Sequence, residues 1–237
     1  MVMSNCLWSQ TTVSRQLWGN AILSFPQSKQ LYLEVDFEPK TQISGGERWR
    51  NIDITPLLEY YPNSWIDLTA EVTSGYTVQT NDLRSLEFTP RLGIRFHLFR
   101  NVWHQVTISE RLPLSRLQLA TFFRLEYRNI SYNQELASEH ETRARLRIES
   151  KIAINHNKLA YNRTWYLFTD GEYFIPINRK IPERYASKIR IRFGPGYRVN
   201  RTYHFELLVI YDDAQNTLED ANPTDTWALN LRAKIFF

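Results

Sequence analysis

Arginine recurs at every second position in two stretches of this chain, as Arg143, Arg145 and Arg147 in one and as Arg190 and Arg192 in the other. Arg124 and Arg128 fall in a third stretch, and Arg232 lies near the end. Side chains two residues apart project from one face of a strand, so guanidinium groups at this spacing form a row of paired N–H donors able to hold carboxylates or phosphates. Carboxylates follow the same rule earlier in the chain, where Glu34, Asp36 and Glu38 alternate and Asp53, Asp67 and Glu71 follow. If these strands close on one another, an acidic wall faces a basic wall. Three kinds of chemistry fit. The charges pair into a network that fills a narrow interior. They leave a transverse field across a water-filled bore, which orients polar solutes and selects ions. Or the arginine face holds an anionic ligand. The sequence leaves all three open.

Catalytic chemistry finds less support. The histidines are His97, His104, His140, His156 and His204, and none sits in a hydrolase elbow or a metal-ligand spacing. Ser138 and His140 are the nearest serine–histidine pair, and they read as a solvated loop. Glu126 and Glu149 lie among arginines, which suits ion pairing better than acid catalysis. There is no glycine-rich phosphate loop, and the lone Cys6 has no partner for a disulfide and no ligand spacing around it. No catalytic residue, metal or cofactor is therefore expected. The formal net charge of +4 does not point to nucleic acid, because the basic residues alternate with apolar ones and mix with glutamate. An acidic stretch from Asp212 to Asp225 reads first as a solvated loop, with docking or cation binding as the sharper alternative.

The elements that position these charges are strands. Leu86, Phe88, Pro90, Leu92, Ile94, Phe96 and Leu98 share one face, while Ser85, Glu87, Thr89, Arg91, Gly93, Arg95 and His97 share the other. The same alternation runs through most of the chain, broken by turn residues near Pro62, Asn157 and Asn200 and by longer polar stretches near 131–140, 176–187 and 213–224. Many segments run past ten residues, close to the ~9–11 that cross a bilayer at a tilt. No stretch approaches the ~18 consecutive apolar residues of a membrane helix. Aromatic residues make up 14% of the chain, and Trp49, Trp65 and Trp227 fall near strand ends, where membrane girdles sit. The expectation is an all-β protein, a single transmembrane antiparallel up-and-down β-barrel of about 12 strands over residues 1–237, with the charged face in the lumen. Residues 7–25 form one long strand or two short ones turning near Trp18-Gly19-Asn20, and the phasing of short turns against long loops favours two. The same phasing makes residues 99–114 a periplasmic excursion, with Leu112-Pro113-Leu114 a turn. Asp170-Gly171-Glu172 is expected to be a local irregularity, and Gly194-Pro195-Gly196 a bend.

Several stretches resemble a domain-of-unknown-function family of bacterial outer-membrane β-barrel proteins. They are the Phe-Arg-Leu-Glu-Tyr-Arg run ending at Arg128, Arg143 to Glu149, Asp170 to Phe174, Arg192 to Tyr197, Phe205 to Tyr211 and the Phe-terminated end. The terminal strand over 224–237, with Trp227, Leu229, Leu231, Ala233, Ile235 and Phe237 on one face, is similar to the signal by which such barrels are recognised for insertion. The resemblance implies a bacterial outer-membrane location with a signal peptide already removed. It also implies membrane lipid and lipopolysaccharide as surroundings, the barrel assembly machinery as a partner during biogenesis, and no nucleic-acid partner. It brings no catalytic residues. The functional expectation is a small porin-like channel with a charged lumen. The alternative is a non-conducting accessory barrel docked to other outer-membrane subunits, and an outer-membrane lipid hydrolase or acyltransferase comes a distant third.

Overall fold

Alternating residues pair edge to edge in a computed structural model of the chain, which describes residues 12–45, 48–79, 83–99, 107–109, 112–113, 116–133, 138–178, 186–215 and 223–237. The strands in order are β1 (Thr12–Pro26), β2 (Leu31–Ser44), β3 (Trp49–Tyr60), β4 (Ile66–Gln79), β5 (Arg84–Phe99), β6 (Thr107–Ser109), β7 (Leu112–Pro113), β8 (Leu117–Tyr132), β9 (Glu139–Ala153), β10 (Thr164–Pro176), β11 (Ala186–Arg198), β12 (Tyr203–Gln215) and β13 (Pro223–Phe236). All but β6 and β7 join one closed barrel in the order β1-β13-β12-β11-β10-β9-β8-β5-β4-β3-β2. Closure gives every barrel strand a partner on both sides and leaves no edge.

The barrel has 11 strands instead of about 12, and the reason lies in the first segment. Trp18-Gly19-Asn20 is not a turn but the middle of β1, which pairs with β13 from Thr12 to Ser24. Trp18 and Asn20 point inward and are buried. Gly19 points outward, where a Cβ would come 3.2 Å from Pro39 Cγ, so the glycine admits a close neighbour. With an odd number of strands, β1 and β13 run in the same direction and the closing pair is parallel; every other barrel pair is antiparallel. The described residues of the connection after β5 add no barrel strand. Within it Leu112–Pro113 is not a turn but pairs with Thr107–Ser109 as a separate small ladder. Asp170-Gly171-Glu172 is not irregular, since β10 holds an unbroken register with β9 and β11 across it. At Gly194-Pro195-Gly196, Gly194 and Pro195 drop out of the pairing of β11 with β12 without shifting its register.

One rim, here the turn rim, carries the connections at 27–30, 61–65, 154–163 and 199–202, while at the opposite, loop rim lie the strand ends at 44 and 49, 79 and 84, 132 and 139, 176 and 186, and 215 and 223. Asparagines fasten two tight turns. Asn63 Oδ1 accepts from the backbone N–H of Trp65 and Ile66, and Asn200 Oδ1 accepts from those of Thr202 and Tyr203. The connection near Asn157 is longer than its sequence suggests, running from 154 to 163, and Asn155 ties its ends by bonding Arg163 O and Trp165 N.

The wall sorts side chains by parity. Most leucines, isoleucines, valines and phenylalanines stand on the outside and are widely exposed, while Phe122, Phe168, Phe174, Leu208 and Ile210 face inward and are buried. Outward tyrosines and tryptophans gather in two bands. Tyr60, Trp65, Trp165, Tyr197 and Tyr203 lie toward the turn rim, and Tyr76, Tyr127, Tyr173, Tyr211 and Trp227 toward the loop rim. Neighbours within a band meet as tilted ring pairs, Trp165 with Tyr197 at 4.6 Å and Tyr211 with Trp227 at 5.1 Å between ring centres. Trp49 is not part of either band, since it lines the interior.

Candidate functional site: the charged lumen

A cavity of about 740 Å³ occupies the barrel, lined at the turn rim by Tyr61, Arg198 and Phe236 and at the loop rim by Trp49, Tyr132 and Ser187. Strand parity sends the charged residues into it. Glu34, Asp36, Glu38, Asp53, Asp67 and Glu71 all line this cavity, as do Arg124, Arg128, Arg143, Arg145, Arg147, Arg190, Arg192 and Arg232.

The basic side of the wall carries its own carboxylates. Glu126 and Glu172 have fully buried side chains and act as hubs. Glu126 lies 2.5 Å from Arg143 Nε, 2.6 Å from an Arg145 Nη and 2.9 Å from Arg91 Nε. Glu172 takes Arg124 at 2.9 Å, Arg145 at 2.7 Å and Arg147 at 3.1 Å. Arg124 reaches past β5 to Glu71 on β4 at 3.0 Å, and Arg192 grips Asp170 through Nε and Nη2. Aromatic faces support the guanidinium planes, with Arg145 over Phe174 at 4.6 Å and Arg124 over Phe122 at 4.8 Å.

Smaller groups surround these hubs. Near the turn rim Arg95 pairs with Glu59 at 2.7 Å, and His97 Nε2 lies 2.5 Å from Asp67. Arg232 donates to Glu206 at 2.8 Å, which also accepts from Tyr166. Near the loop rim Arg190 meets Asp212 at 2.6 Å, Lys40 bridges Asp53 and Glu38, and Arg128 joins Glu87 to Glu141. These pairs run along the wall between neighbouring or next-neighbouring strands and leave the bore between them.

Two acids stand apart. Asp36 accepts a hydrogen bond from Asn20 at 2.6 Å, and Glu34 one from Ser24. Among the described residues neither has a cationic side chain within ion-pair distance. Their strand, β2, lies opposite β9 and β10 in the ring, so open carboxylates face matched arginines across the bore.

Sequence reasoning did not assign the hubs at Glu172, Asp170 and Glu206, nor Arg91 and Glu59 beside them. The signal was present, because each has the parity of the charged face of its strand; treating Asp170-Gly171-Glu172 as an irregularity interrupted that parity. The other candidate chemistry disperses. Ser138 donates to Asn129, while His140 stacks on Tyr127 outside the barrel. His156 meets Tyr161 in a turn, and His204 lies against Phe236. Cys6, His104 and the acidic residues of 216–222 lie outside the described residues. Among the described residues no group of His, Cys, Asp and Glu is placed to hold a metal ion. The terminal strand is β13, with Trp227, Leu229 and Leu231 exposed on the outer wall, Ala233 and Ile235 half-buried, and Phe237 stacked on Phe25 at 4.7 Å.

No curated protein and no solved structure matches this chain. A family model does, across residues 15–222, which run from within β1 to the end of the connection after β12. On that match the chain belongs to the family described as Protein of unknown function (DUF2490).

Proposed function

We propose that this barrel spans the bacterial outer membrane and forms a narrow passage for ions and small polar solutes. The observation that carries the membrane reading is the outer wall: two bands of tyrosine and tryptophan bound an uncharged apolar belt, while the charges of the barrel's midsection face inward. Tyr203 and Tyr211 stand eight residues apart on β12. At ~3.3 Å per residue and a tilt near 40° the bands are about 20 Å apart between ring attachments, which suits an apolar belt of ~25 Å with rings at its borders.

The passage reading rests on a cavity lined from both rims. Strands of 12 to 16 residues make a wall roughly 30–40 Å tall. A volume of about 740 Å³ spread over that height leaves a mean free cross-section of about 20 Å², enough for a file of water and small ions. Because Glu34 and Asp36 have no ion-pair partner among the described residues while each of the eight arginines of the basic wall has one, we expect a preference for cations. The second reading, a non-conducting accessory barrel, is favoured by the density of the Glu126 and Glu172 hubs near mid-wall.

Single-channel recording of the refolded protein in a planar bilayer under a salt gradient tests both. Steady conductance with a cation preference, weakened in the Asp36→Asn variant, is the expected result. A folded, inserted barrel that passes no current would overturn the passage and leave the accessory reading.

A further inference from the structure

Charge on the outer wall is not random. Among the described outward-facing residues of β1 to β5 the charged ones are Arg15, Arg50 and Arg84, and all three lie at the loop rim. Arg50 and Arg84 share one lateral row, because Val78 on β4 pairs with Arg50 on β3 and with Arg84 on β5. Two inter-strand spacings put their backbones about 10 Å apart, a gap that two extended arginine side chains can close over the small valine between them. Both are exposed, and among the described residues neither joins an ion pair. Tyr76 stands two residues below Val78 on the same face, in the loop-rim aromatic band. The two guanidiniums therefore sit one step outside the ring belt, where a bilayer places its headgroups.

We propose that Arg50 and Arg84 form a binding site on the outer wall for a lipid whose headgroup carries phosphate, in the leaflet at the loop rim. The site rests on the reading that the wall lies in a bilayer. Guanidinium planes hold phosphate oxygens through paired N–H donors, and a side chain pointing outward from the wall at this height meets lipid before it meets solvent. The opposite flank differs, with Asp213 paired with Asp225 on β12 and β13, so the wall offers anionic headgroups one preferred side.

The test begins with insertion of the folded protein into neutral phosphatidylcholine vesicles. Retention of phosphatidic acid over phosphatidylcholine is then measured by native mass spectrometry from mixed micelles, with inorganic phosphate as competitor. We expect wild type to retain phosphatidic acid. The double variant Arg50→Gln/Arg84→Gln should weaken retention by about 25-fold, taking about fivefold for each arginine near an anionic lipid. Arg163→Gln/Arg201→Gln, at the turn rim, should leave it unchanged. Equal retention by the folded Arg50/Arg84 variant, or no lipid preference in wild type, would overturn the site while leaving the membrane reading intact. Displacement by inorganic phosphate at matched concentration would overturn it in favour of a free-anion site. A chain that fails to enter neutral vesicles would overturn the membrane reading and the site together.

Discussion

An arginine placed at mid-height on the outer wall separates a barrel in lipid from the same barrel in water. Leu207 lies outward on β12, midway between Tyr203 and Tyr211, and is 43% exposed in the isolated chain. Leu207→Arg leaves the lumen untouched, so a wall facing water would tolerate it within about 0.5 kcal/mol, as for an ordinary surface change. In a bilayer the cost is depth-dependent: about 2–4 kcal/mol at the midplane and about 0–1 near the interfaces. Ile43 supplies the matched control. It is 63% exposed near the loop-rim end of β2, so Ile43→Arg places the same charge at headgroup height. The expected difference of about 3 kcal/mol corresponds to a roughly 150-fold difference in the ratio of folded to unfolded protein. Reversible urea unfolding in phosphatidylcholine vesicles, followed by tryptophan fluorescence, reads it directly. Equal costs at Leu207 and Ile43 would refute the inference that the apolar belt lies in hydrocarbon.

Two further changes probe the lumen. Glu172→Ala removes the acceptor shared by Arg124, Arg145 and Arg147, leaving guanidiniums without their buried partner at a cost of about 3–5 kcal/mol in the same unfolding assay, whereas Glu172→Gln, which keeps an acceptor and the shape, should cost less. Gly93→Ala would set a Cβ 2.5 Å from Thr69 Oγ1, 2.7 Å from Phe122 Cε2 and 2.9 Å from Arg124 Cγ; the Phe122 ring and the Arg124 stem must shift toward the bore, costing about 1–3 kcal/mol and lowering single-channel current.

Most of the wall was legible because a strand's parity is a local property. Once Leu86 to Leu98 alternate with Ser85 to His97, the two faces of β5 follow without knowledge of any neighbour. The ends of strands and the number of them were less legible, because they depend on what the chain meets. Gly19 reads as a turn residue until Pro39 is found beside it. Ser14, Gln16 and Trp18 carry no charge, so the inner face of β1 gives a weaker alternation than its neighbours; in the fold they bond one to the next, Trp18 to Gln16 and Gln16 to Ser14. The acidic and basic walls were readable as compositions. Which carboxylate each arginine takes was not, because Arg124 chooses Glu71 and Glu172 from strands on either side of its immediate neighbours.

The parallel seam lies beside part of the lumen's apolar packing. Parallel ladders are slightly less stable per residue than antiparallel ones, so the β1–β13 pair needs support that the other pairs do not. The lumen supplies part of it with apolar packing, set among inward polar side chains such as Asn230, Arg232 and Asp212. Trp18 on β1, Ile210 on β12 and Ala228 on β13 form one buried cluster, and Leu208 continues it toward Phe168 and Tyr166 on β10. The arginine hubs stand on β8, β9 and β10, where every pair is antiparallel. Excluding water around Trp18 protects the slanted hydrogen bonds there from competition, while the antiparallel arc carries the ion-pair network. The bore is thus bounded by the ion-pair arc on β8 to β10 and by the carboxylates Glu34 and Asp36 on β2, with the Trp18 cluster and the Arg232–Glu206 pair on the seam side.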